Sequence, residues 1–251
     1  MPLAPGDALQ RMEILLTAFE SMVPPPKRVT FRDGFVFRYA EKSLHQAMVQ
    51  KLARVISGIS AATLLLQNGF LQEHAAIQRM LDEFCEDVAF LCFAAIDGEM
   101  TDLHHWYLEE FYTEELDVVD GVVALARKRG MIPRKRIRAY ITNRAEYGPD
   151  PSTRNAQLTT IAKAYSGYVH GASAQVMEMY GGNPPKFHVR GMRQSPLFAD
   201  HAHDIWNYYY RGIVTFGMAA KAFGSETIVA EALQLLREFE DSSPERAPND
   251  S

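Results

Sequence analysis

The sequence predicts an all-α fold: a single domain built as an antiparallel bundle of about seven to nine helices, with a small irregular or β-hairpin insertion near 183–194. Three observations carry this. Apolar residues recur every three to four positions along most of the chain. Glycines and prolines punctuate those stretches where helices should stop. No alternation of strand and helix patterns is present from which a parallel sheet could be built.

The elements follow in order. Leu9, Met12, Leu15, Leu16 and Phe19 make a first amphipathic helix, stopped by Pro24, Pro25 and Pro26. Val29 to Phe37 has β character around Asp33-Gly34 and reads as a short turn. From about Tyr39, the set Leu44, Met48, Leu52, Val55, Ile59, Ala62 and Leu66 keeps helical spacing to the stop at Asn68-Gly69. A third helix carries Leu71, Ala75, Gln78, Leu81, Cys85, Val88 and Cys92 to Asp97-Gly98, and pairs with the second as an antiparallel hairpin. Shorter helices are expected over Asp102–Tyr112, Glu114–Arg129 and Pro133–Tyr147, with a loop at Gly148-Pro149-Asp150-Pro151. A long helix follows from Ser152 to Tyr180, then the insertion, whose Lys186-Phe187-His188-Val189-Arg190 alternates like a short strand. Ser195-Pro196 opens the next helix, Ser225 caps the last, and the helical domain (1–241) gives way to a polar tail (242–251) expected to be disordered. Within the penultimate helix Trp206 and Tyr210 share a face. Tyr208 and Tyr209 must look elsewhere, so some of this aromatic set is expected at a surface groove or a subunit contact.

Composition bounds the class. With 251 residues, 47% hydrophobic and 23% charged, the chain reads as an ordinary globular domain with no uninterrupted apolar run near the ~20 residues of a membrane span. Its N-terminus has Asp7 and Glu13 and no basic region, so no signal peptide is read there and the expected location is cytoplasmic. Cys85 and Cys92 stand roughly 10 Å apart along one helix, too far for a disulfide.

Charge is sorted into two blocks. From Asp97 to Asp120 every charged residue is acidic, and from Arg127 to Arg144 every one is basic. The blocks read either as neighbouring helix faces that attract each other or as a basic ridge able to hold a phosphate despite the net charge of -5. Arg134, Arg136 and Arg138 are the expected phosphate or RNA contacts.

A second constellation is internal. Arg79 and Glu83 lie one helical turn apart, with either Glu86 or Asp87 on the same side. The segment Tyr165-Ser166-Gly167-Tyr168-Val169-His170-Gly171 puts two glycines in a helix, which implies a close helix contact or a ligand near the backbone. Arg79, Glu83, Tyr165 and His170 are therefore the candidates for an internal polar site. An Arg followed four residues later by Glu, with a later Tyr-Val-His, resembles a set of bacterial all-helical proteins of unknown function that have been compared with HEPN-type domains; the likeness runs from about Leu44 to Val176. That resemblance implies a helical fold, a dimer, and a stress or defence setting. It does not imply nuclease activity: the HEPN pattern of Arg, four to six residues, then His is met only by Arg38 and His45, where Tyr39 replaces the usual polar residue.

Metal chemistry has one candidate set. Asp102 and His105 are three apart, as are Asp200 and His203, the carboxylate-x-x-His spacing used in metal-binding bundles, although those use Glu. His201 and His203 point to different sides of a helix, and His203-Asp204 matches only a dipeptide of metal phosphohydrolases. No Gly-x-Ser-x-Gly elbow, Walker loop or dinucleotide glycine loop is present. The leading expectation is a helical protein, forming a homo-oligomer, with a phosphate- or RNA-interacting surface, no membrane contact and no predicted cofactor. Its alternatives are a non-enzymatic oligomerisation or interaction module and an enzyme dependent on a divalent metal.

Overall fold

The computed structural model describes residues 3–119, 122–144 and 150–242. Asp120, the loop residues 148–149 and the tail from 243 onward lie outside them. The described chain is an all-α bundle carrying three small two-stranded hairpins.

Helix α1 (Pro5–Ser21) buries Ala8, Met12, Leu15 and Phe19, one stripe at helical spacing. Strands β1 (Lys27–Phe31) and β2 (Gly34–Arg38) then pair antiparallel, with Phe31 opposite Gly34 and Arg32 in the left-handed region (φ 54°). The β character of this stretch extends to a full hairpin rather than a turn alone.

Helix α2 (Leu44–Gln67) begins later than its apolar spacing implies, because Ser43 and Gln46 close a capping box at its start. Helix α3 (Leu71–Asp97) follows through Gly69 (φ 77°) and stops at Gly98 (φ 67°). The two form the expected antiparallel hairpin, and at Gly58 they approach so closely that a β-carbon would stand 2.6 Å from the Leu81 side chain. By length and composition α2 is apolar enough to cross a membrane, and in the bundle Leu52, Val55, Ile59 and Ala62 are fully buried.

Helix α4 (Asp102–Phe111) is followed by β3 (Leu116–Val119) and β4 (Val122–Leu125), where the apolar spacing implies a helix from Glu114 to Arg129. Val118, Val119, Val122 and Val123 flank the dipeptide Asp120-Gly121 in sequence. Four β-branched residues around Asp-Gly favour a hairpin more strongly than spacing favours a helix.

Helix α5 (Arg134–Arg144) and α6 (Pro151–His170) pack on α3. Asp150 caps α6 through its side chain, and Gly171 (φ 62°) ends it, so the long helix expected to reach Tyr180 is split and resumes only as α7 (Ser173–Met177). Strands β5 (Tyr180–Gly181) and β6 (Lys186–Phe187) make the expected small hairpin of the insertion. The insertion is tied down where the Met192 N–H donates to the Gly69 carbonyl at 2.7 Å.

Helices α8 (Leu197–Ala222) and α9 (Glu226–Asp241) complete the bundle, the latter capped by Ser225. The core centres on α2, α3 and α8. Phe19 meets Phe216 and Phe223, and Trp206 stacks on Tyr210 and Phe239. Of the aromatic set in α8, Tyr208 and Tyr209 are buried in this core, and Trp206 and Tyr210 are half-buried. Both cysteines are free thiols.

Candidate functional site

The carboxylates Asp82, Glu83, Glu86 and Asp87 occupy two adjacent rows along α3, and cations converge on them from four helices. From α5, Arg134 donates to Asp87, to Glu86 through two nitrogens, and to the Glu83 carbonyl at 3.2 Å. Arg138 Nε donates to Glu86 Oε1 at 2.8 Å. From α2, Lys51 Nζ stands 2.8 Å from Asp87 Oδ2, flanked by the rings of Phe84 and Phe111 at 5.0 and 5.1 Å. Within α3, Arg79 pairs with Glu83 at 2.7 Å, and from α8, Arg211 pairs with Asp82. The side chains of Glu86 and Asp87 are only 5% and 6% exposed. Burial alone would lower the Arg134 pKa, but Asp87 and Glu86 outweigh it and hold the guanidinium above its ordinary value.

This arrangement corrects the expectation of one exposed ridge at Arg134, Arg136 and Arg138. Residues 134 and 138 are one turn apart and share the inward face, whereas 136 is rotated by about 200° to the solvent side. Arg136 is exposed, its guanidinium 5.4 Å from the Trp106 ring. Charge density in the sequence thus reported a clamp on α3 as much as a surface. The two charge blocks do meet at the rim, where Arg127 pairs with Glu109 at 3.0 Å and Arg144 with Asp97.

Above the clamp lies a cleft of about 450 Å³ between α3, α4 and residues 129–137. Its lining includes the buried Asp87 and Tyr107, the half-buried Lys51, Arg134 and Phe111, and the exposed Arg129 and Met131. Tyr107 is 6% exposed, and its hydroxyl makes no full hydrogen bond. Burial and then the neighbouring Asp87 charge raise its pKa well above the ordinary value, so it is present as a neutral donor. The lining carboxylates are engaged: Asp87 by Lys51 and Arg134, Glu83 by Arg79, and Glu110 by the Gly130 N–H and more distantly by Arg127. The cleft's own charged lining balances, Lys51, Arg129 and Arg134 against Glu83, Asp87 and Glu110; the excess lies in the ion cluster behind it, where Lys51, Arg134 and Arg138 meet Glu86 and Asp87 and Arg138 Nη2 is buried without a partner. That cluster supplies fixed donors and one excess positive charge beside the cleft.

The other flank of α3 is a polar seam against α6 and α8. His74 and His201 rings stand 5.5 Å apart, Tyr165 donates to Asp204 at 2.7 Å, and Tyr168 donates to Glu178 at 3.0 Å. Both amide atoms of Gln78, Asp82 Oδ2, the Tyr208 hydroxyl, His74 Nε2 and His201 Nδ1 are buried without full hydrogen bonds. Tyr165 belongs to this seam, and the Arg79–Glu83 pair borders it with Arg79 Nη1 buried and unpartnered. His170 does not join them; it is exposed at the end of α6. The sequence signal for the seam was Gln78 lying within the apolar stripe of α3.

Burial lowers the pKa values of His74 and His201, and of His104 on the inward face of α4, below 6.5. The folded protein thus favours their neutral forms, so their contribution is complete above about pH 6.5 and is lost as pH falls through the folded values. Burial raises the pKa of Asp82, which acts in the opposite sense, lowering stability as pH rises above the ordinary carboxylate value. Unfolding temperature should therefore drop between about pH 7.5 and about pH 5.5. Replacing His74 and His201 by glutamine should flatten that slope, and a flat wild-type profile would contradict the burial argument.

The metal candidates do not assemble. Asp102 and His105 are exposed on α4, and Asp200 and His203 are exposed on α8. Among the described residues, no three His, Cys, Asp or Glu side chains are grouped to hold an ion. Arg38 and His45 also part company: Arg38 pairs with Glu114, while the His45 ring packs on Phe223 and reaches the Ala222 carbonyl at 3.3 Å. No family model, curated protein or solved structure matches the chain.

Proposed function

We propose that the protein binds a small phosphate-bearing ligand in the cleft between α3, α4 and residues 129–137. The observation that carries this is the ion cluster that backs the cleft, where Lys51, Arg134 and Arg138 stand against the two buried carboxylates Glu86 and Asp87, and two of those cations, Lys51 and Arg134, also line the cleft. A buried excess charge is costly until a counter-ion offsets it, and a phosphate supplies both the charge and acceptors for several donors at once. Tyr107, Lys51, Arg134 and Arg129 all line the cleft and supply donors to it. Phosphate chemistry, expected from the basic block, is retained but moves from an exposed ridge to a recess.

Thermal unfolding in inorganic phosphate, against chloride at matched ionic strength, tests this. Phosphate at a hundredfold excess over its dissociation constant should stabilise the wild type by about 2.7 kcal/mol, and the rise should saturate. Tyr107→Phe and Arg129→Glu should each weaken the saturable part by roughly tenfold, since one lost charge-assisted bond is worth about 1.5–3 kcal/mol. Generic salting-out stabilisation neither saturates nor depends on these residues. An unsaturable rise, or one equal in all three proteins, would overturn the reading.

A further inference from the structure

We propose that the β1–β2 hairpin is a stacking platform for single-stranded nucleic acid. In its register Arg28 lies opposite Phe37, and Thr30 opposite Phe35, so these four side chains share one face of the ribbon. That face is turned to solvent. Phe35 and Phe37 are 48% and 56% exposed, their ring centroids 5.4 Å apart in an edge contact, and Arg28 lies 3.6 Å from the Phe35 centroid. A ribbon of two strands gains little by holding bare aromatic rings, so an exposed pair marks a contact surface.

Charge decides what covers it. Residues 27–42 carry Lys27, Arg28, Arg32, Arg38 and Lys42 against Asp33 and Glu41, in a chain whose net charge is -5. Protein interfaces are depleted of charge at their centre, whereas a polyanion with stackable faces needs cations interleaved with aromatics. Bases must be unstacked to lie on phenylalanine, which selects single strands over duplex. Five residues of strand span about 17 Å, the room two or three nucleotides take on such a platform. The cleft site requires a phosphate, not a base, so this surface stands on its own observations.

The test is fluorescence anisotropy of labelled oligo-dT and oligo-U, about ten nucleotides long, titrated with the full chain across a salt series. The wild type should prefer either single strand to a duplex of equal length. Phe35→Ala/Phe37→Ala should weaken binding about tenfold or more per ring while leaving the salt slope unchanged. Arg28→Ala/Arg32→Ala should reduce that slope by about 0.7 for each phosphate no longer neutralised. All four positions are exposed, and circular dichroism checks that the variants fold. Wild-type affinity in the phenylalanine variant, preference for duplex, or absence of binding at low salt would each overturn the proposal. So would loss of a dimer in that variant by light scattering without any nucleic-acid binding, which would assign the face to self-association. The cleft is read by phosphate-dependent stability and the hairpin by anisotropy, so either can fail alone.

Discussion

Glu86→Ala is expected to destabilise the protein by about 3–5 kcal/mol, because it removes one partner from a buried ion cluster and strands the others. Glu86 accepts from both Arg134 and Arg138, of which Arg138 is buried and Arg134 keeps only a partly exposed edge. Most of the loss is the cost of leaving those charges buried and unpaired, not the net worth of the bonds. The corollary is a rescue: Glu86→Leu combined with Arg134→Met and Arg138→Met should recover most of the stability, since apolar residues of similar volume replace such clusters with little loss. Urea denaturation measures both. A Glu86→Ala change below about 1 kcal/mol would mean that water screens the cluster as it screens surface pairs.

Phe90→Ala is expected to cost about 3–5 kcal/mol as well, the range for deleting a buried aromatic ring. Phe90 is fully buried on α3 and reaches three neighbours: it stacks on His104 at 4.0 Å and meets Tyr107 and Tyr140 edge-on at 5.6 and 5.1 Å. These rings anchor α4 and α5 to α3, so the cavity left behind loosens both walls of the cleft together. Hydrogen exchange should then rise first in α4 and α5, with α2 and α8 protected until global unfolding. Uniform loss of protection across the bundle would contradict that partition.

The fold was legible where local signals agreed. The α2–α3 hairpin follows from a continuous apolar stripe interrupted by Asn68-Gly69, and both helices and the turn are found there. The errors fell where two local signals competed. Around Asp120-Gly121 the valines kept a spacing compatible with a helix, yet β-branching favoured strands; at Gly171 one residue in the left-handed region was enough to divide a helix.

The candidate site was half legible. Arg79 does pair with Glu83, and Tyr165 donates to Asp204 across the seam. Lys51, Tyr107, Asp204 and Arg211 could not be joined to them from sequence, because they come from other helices and meet α3 or its seam only through tertiary packing. Periodicity does place Arg134 and Arg138 on one face and Arg136 on another. It does not say which face turns inward, since that is set by the carboxylates waiting on α3.

The most direct test of the cleft is isothermal titration calorimetry of inorganic phosphate into the wild type and Tyr107→Phe. Tyr107→Phe removes only a hydroxyl without a full hydrogen bond, so the fold should be unharmed and any change should report the ligand. The charge balance of the cluster that backs the cleft predicts a single saturable site in the wild type and binding about tenfold weaker or more in the variant. Identical isotherms for the two proteins, or no heat of binding at millimolar phosphate, would contradict it.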